Sequence, residues 1–135
     1  MKKIAYFIIL LFIFSSCGGN DFSFNEEKQS FEATSTYFGI IEIKGIDNED
    51  CYKIDLKLEG RKIKSINLKQ IPKDFYIICC NGDTIDSFKL KINSEYKIIN
   101  GGVYDTPRRK IIIFTDEKGL LYERGSGSVS EYSDW

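Results

Sequence analysis

The chain has 135 residues, 19 basic and 20 acidic side chains, a formal net charge of −1 and no histidine. That length allows one domain rather than two, and so even a charge argues against a nucleic-acid partner, which favours a basic surface. Without histidine there is no Ser-His-Asp triad, no commonplace general base and none of the usual catalytic zinc sites.

Residues 1–16 open with Lys2 and Lys3, continue through the apolar and aromatic run 4–14, and close on Ser15 and Ser16 before Cys17. The apolar run is shorter than the roughly 20 residues needed to cross a bilayer, so the segment is expected to be a helical signal peptide that is removed. The tetrad Phe14-Ser15-Ser16-Cys17 resembles the lipobox of bacterial lipoproteins, with Phe14 where Leu is usual. The resemblance implies that Cys17 is acylated, carries palmitate-type chains and becomes the N-terminus. It also implies that the mature chain is held on the extracytoplasmic side of the cell membrane or outer membrane. Three acyl chains, at about 0.8 kcal/mol per buried methylene, anchor permanently. Removing Lys2 and Lys3 leaves 17 basic against 20 acidic groups, a mature net charge of −3.

Residues 17–34 are polar with scattered Phe and are expected to be the lipidated cysteine and a tether, although Phe22, Phe24 and Phe31 could instead dock as a first edge strand. From 35 to 124 the pattern turns to period two, rich in Ile, Tyr and Phe and broken by Gly, Asn, Asp and Pro, the signature of strands. Strands are expected at 36–44, 51–58, 61–69, 75–80, 83–92, 95–99, 110–115 and 120–124. In 51–58, Tyr52, Ile54, Leu56 and Leu58 share one side. In 61–69 the apolar phase slips, which predicts a bulge near Lys64-Ser65. Asn81-Gly82 predicts a type I′ hairpin, and Asp116-Glu117-Lys118-Gly119 a type I turn. Residues 125–135 are expected to be a flexible tail.

Short strands at intervals of about ten residues predict an all-β fold, an antiparallel β-sandwich, with a small antiparallel barrel as the alternative. Leu90-x-Ile92-x-Ser94-x-Tyr96-x-Ile98 resembles the tyrosine corner of fibronectin type III and related immunoglobulin-like domains, with Ile92 where Pro is favoured. The resemblance implies an immunoglobulin-like sandwich and a buried ring at Tyr96 whose hydroxyl bonds backbone a few residues upstream.

No motif for catalysis stands out, and no cofactor or metal is expected. Ser126 and Ser128 are expected to lie in the tail with no catalytic partner in sight, and no carboxylate pair is singled out. Asp47-Asn48-Glu49-Asp50 offers oxygen ligands of the kind calcium takes, but with no EF-hand spacing it reads first as a solvated acidic loop. Cys51, Cys79 and Cys80 sit in an oxidising compartment. Adjacent Cys79 and Cys80 point to opposite faces, so only one of them can meet Cys51 in a disulfide; otherwise both are small core fillers. The long connection 100–110 gathers Tyr104, Arg108 and Arg109, an aromatic and arginine grouping enriched at interfaces; the competing reading is a solvated basic turn that protects a strand edge.

The expectation is a non-enzymatic envelope lipoprotein with a binding or structural β-domain. It is attached to the membrane through Cys17 and has an envelope protein as candidate partner. An immunity or inhibitor lipoprotein that blocks an extracytoplasmic toxin or hydrolase is the alternative.

Overall fold

The structure, a computed structural model, describes residues 20–34, 36–101 and 108–129. Ten strands follow in chain order: β1 (Phe22–Asn25), β2 (Ser30–Ala33), β3 (Ile40–Gly45), β4 (Cys51–Leu56), β5 (Ser65–Ile66), β6 (Phe75–Cys79), β7 (Thr84–Ile85), β8 (Glu95–Asn100), β9 (Arg109–Thr115) and β10 (Leu121–Ser128). Among the described residues there is no helix. A seven-stranded sheet runs β10-β9-β8-β3-β4-β6-β7 and a three-stranded sheet runs β1-β2-β5, every pairing antiparallel. The large sheet is open at β10 and β7, so the fold is a two-sheet sandwich and not a barrel. Its division into seven and three strands differs from the four and three of an immunoglobulin constant domain.

The core follows from strand alternation. Directly paired residues share a face, which sets Ile41, Ile54 and Ile77 in one row and Ile43, Ile98 and Ile111 in another. Against these rows lie Phe24, Phe31 and Ile66 of the small sheet, with Phe38 and Leu68 from its flanks. The segment 17–34 is therefore not a tether from residue 20 onward. Phe24 pairs with Phe31 across the β1–β2 hairpin, their rings 4.8 Å apart. Burying these aromatics closes the open face of the large sheet, and the docking alternative is the one realised.

Other expectations need correction. The last strand does not stop at 124: Ser126, Gly127 and Ser128 pair with Ile111, Lys110 and Arg109 after a register shift between Glu123 and Gly125. Partnership with β9 supplies what Gly and Ser lack in strand propensity. The strands expected over 61–69 and 83–92 shrink to two residues each; in the second, Phe88 turns to stack on Tyr52 and the Lys91 N–H goes to the Tyr96 oxygen in place of a neighbouring strand. At the 80–83 turn only Gly82 has positive φ, +94°, and Asn81 does not, so the loop is the three-residue kind that places glycine after the turn and not type I′. Leu58 lies beyond β4 in a turn and is fully exposed, not on the buried side with Ile54.

The tyrosine corner forms without the immunoglobulin strand arrangement. Tyr96 is 0% exposed; the Lys91 N–H donates to its oxygen at 2.8 Å, and its hydroxyl donates to Asp50 Oδ2 at 2.6 Å. Burial, reinforced by the bond to the Asp50 carboxylate, pushes this phenol well above its ordinary value.

A candidate binding cleft at one end of the sandwich

Strand directions give the sandwich two distinct ends. Asn20, Asn100, Gly101 and Ile40 meet at one: Asn100 Nδ2 donates to the Asn20 carbonyl at 3.0 Å and the Gly101 N–H to that of Ile40 at 3.0 Å. The other end carries the Asp47–Asp50 loop, the Cys51–Cys80 disulfide, residues 91–94 and the 116–120 turn. At about 3.4 Å per residue, the seven residues of β9 place these ends roughly 20 Å apart.

At the second end Leu68, the 88–92 segment and the 117–121 turn surround a cleft of about 530 Å³, within the range of small-molecule sites. Its walls are Leu68, Phe88, Leu90, Ile92 and Leu121. Phe88 stacks on Tyr52 with ring centroids 4.6 Å apart, which fixes the start of this irregular segment to β4. Ser94 and Thr115 fix its end, the Ser94 N–H donating to Thr115 Oγ1 at 3.0 Å. Lys69, Lys89 and Lys118 line the rim with Glu117 as the one carboxylate. Such a site can bury an apolar group and pair with a negative charge.

Residues singled out in the sequence are placed elsewhere. Cys17 and Tyr104 lie outside the described residues. Arg109 belongs to β9 and forms an ion pair with Asp21 at 3.0 Å, donating also to Ser128 Oγ at 2.7 Å. Arg108 pairs with Glu42 at 3.3 Å. Both arginines therefore tie the fold together at the Asn20 end, about 20 Å from the cleft by the length of β9.

Cys51 and Cys80 form a disulfide, Cα atoms 5.5 Å apart, and Cys79 remains a thiol. The sequence left Cys79 and Cys80 both open as the partner, and the strand register decides: Cys79 stands opposite Tyr52 on the inner side, leaving Cys80 to the outer side with Cys51. The acidic loop is engaged internally. Asp47 Oδ1 accepts from Asn48 Nδ2 and from the Glu95 N–H, holding its carboxyl below the usual range, while Asp50 accepts from Tyr96. Among the described residues no cluster of ligating side chains is grouped to hold a metal ion.

The chain matches no known protein family, and no curated protein or solved structure is similar to it. The cleft was not found from the sequence because Phe88, Leu90 and Ile92 alternate as strand residues do. The available signal was an alternating run interleaved with Lys89 and Lys91, close to the tyrosine corner, that has no obvious partner strand.

Proposed function

We propose that this protein is a small envelope lipoprotein, anchored through acylated Cys17, whose β-sandwich acts by binding and not by catalysis. The cleft is its binding site, for an apolar group that carries negative charge. The observation that carries this reading is polarity. Asn20, three residues past Cys17 in the sequence and 2% exposed, bonds Asn100 at the end of the sandwich opposite the cleft. An anchor at Cys17 would then leave the cleft facing away from its own membrane.

The reading is tested in two steps. Intact mass of the protein purified from membranes should show an acylated Cys17 as the first residue; a different N-terminus or no acyl mass removes the anchor. Binding is measured with anilinonaphthalene sulfonate, an apolar anion, displaced by dodecanoate. Saturable fluorescence enhancement should be lost in Ile92→Asp and weakened in Lys118→Glu. Equal binding by Ile92→Asp would remove the cleft from the proposal.

A second reading, an inhibitor lipoprotein that covers a folded extracytoplasmic enzyme, is favoured by exposed Ile92 and Leu120 beside the cleft. It predicts a stoichiometric complex that Leu120→Asp disrupts and dodecanoate alone does not.

A further inference from the structure

Leu58 is the most exposed large apolar residue among those described, at 103% of its reference area. It stands at the tip of a fixed turn. The Gly60 N–H donates to the Lys57 carbonyl at 2.9 Å, the Lys57 N–H to that of Asp74 at 2.8 Å, and the Arg61 N–H to Asp74 Oδ1 at 2.9 Å. A Cβ on Gly60 would stand 2.5 Å from the Asp74 carbonyl oxygen, so glycine lets the turn close against the residue that precedes β6. The backbone therefore presents Leu58 outward in a defined geometry.

The surroundings are basic. Lys57 and Lys73 line the same surface hollow as Leu58, with Glu59 and Asp74 beside them, and Asp74 is already paired with Arg61 at 3.3 Å, which leaves the two lysines in excess, in a chain whose formal net charge is −1. An apolar tip with Lys57 and Lys73 beside it matches the boundary between anionic headgroups and acyl chains, where cations meet phosphates and the apolar group enters beneath them.

Position supplies the third observation. The Leu56 N–H donates to the Gly39 carbonyl at 2.8 Å, next to Ile40, which holds Gly101 and so adjoins Asn100 and Asn20. With strands about 4.8 Å apart, the end of β4 lies roughly 10 Å from that of β8 along the same edge of the sheet. Three residues from Cys17 to Asn20 reach at most about 10 Å. Chain anchored at Cys17 would bring this edge to the bilayer.

We propose that the Lys57–Arg61 turn is a second membrane contact, with Leu58 seated in the headgroup region of an anionic leaflet beside the anchor. The proposal takes the direction of the domain from the lipid-anchor reading.

The experiment uses the chain as isolated from membranes, reconstituted into phosphatidylglycerol–phosphatidylethanolamine vesicles with brominated acyl chains. Leu58→Trp is introduced alongside Trp135→Phe so that one indole reports; Ile46→Trp in the same background, exposed beside the Asp47–Asp50 loop and outside the cleft, is the comparator at the far end. Leu58→Trp should show blue-shifted emission and several-fold stronger bromine quenching than Ile46→Trp, with the difference reduced in phosphatidylcholine vesicles. Equally weak quenching at the two positions overturns the proposal. A blue shift without bromine quenching that grows with protein-to-lipid ratio overturns it in favour of contact between copies. Intact mass separates the two readings: an acylated chain with unquenched Leu58→Trp loses the contact and keeps the anchor, whereas an unacylated chain with quenched Leu58→Trp loses the anchor and keeps the contact.

Discussion

The side-chain amide of Gln29 bonds both backbone groups of Leu121: its Nε2 donates to the Leu121 carbonyl at 3.1 Å and its Oε1 accepts the Leu121 N–H at 2.7 Å. One primary amide thus imitates a neighbouring strand and joins the β1–β2 turn to the free edge of β10. Glu26 extends the contact, its Oε1 accepting the Glu123 N–H at 3.2 Å. The turn that presents Gln29 holds it at φ +53°, a conformation in which few residues rest comfortably.

Gln29→Ala should lower stability by about 1–3 kcal/mol, since two backbone groups lose their partner at once. Gln29→Asn tolerates the positive φ but is one methylene short, so it should cost about the same if the bonds matter and almost nothing if the backbone does. Urea denaturation of the three proteins distinguishes these outcomes.

Tyr96→Phe should cost about 1–3 kcal/mol, more than Tyr52→Phe or Tyr76→Phe, because it strips a partner from both the Lys91 amide and the Asp50 carboxylate. The pH dependence has a definite sign. The folded phenol titrates above its unfolded value of about 10, so its contribution is complete below pH 10 and is lost as pH rises from there toward the folded value. Stability measured from pH 9 upward should therefore decline, and decline less steeply in Tyr96→Phe. An identical alkaline slope in the variant would contradict this assignment.

The Cys51–Cys80 bond closes a loop of 29 residues, for which chain entropy gives about 3–4 kcal/mol. Reduction, or Cys51→Ala with Cys80→Ala, should lower the denaturation midpoint accordingly. Cys79→Ala should leave the disulfide intact by mass and shift the midpoint by a much smaller amount.

Replacing Arg108 and Arg109 by Ala should be felt as lost stability. The Arg108–Glu42 pair is largely sheltered, its side chains 23% and 17% exposed, and its loss should cost about 1 kcal/mol. The Arg109–Asp21 pair is more exposed and should contribute less. Thermal unfolding of the two single variants ranks them.

What could be read from the sequence was whatever depends on alternation and local chemistry. The rows through Ile41, Ile54 and Ile98, the Tyr96 corner and the opposite facing of Cys79 and Cys80 all follow from period two or from a short motif. What was hidden depends on contacts between distant segments. Phe24 and Phe31 look isolated among polar neighbours until a sheet stands opposite them, and Gly125 to Ser128 extend only because β9 offers partners. Leu58 kept the apolar phase of β4 by coincidence, since the strand ends at Leu56 and the turn beyond it is set by Asp74. Of the cleft, the wall residues were visible and the gap they surround was not.

The register shift between Glu123 and Gly125 has a bearing on solubility. A seven-stranded sheet left open invites a further strand at each margin, from another molecule or from a partly folded one. At one margin β7 offers only Thr84–Ile85, too short a template to hold a stranger. At the other, β10 is longer, but the shift breaks its straight line and the Gln29 and Glu26 side chains already occupy its first rungs. Growth of the sheet is thus stopped by different means on its two sides, and Gln29→Ala should make the protein more prone to self-association as well as less stable.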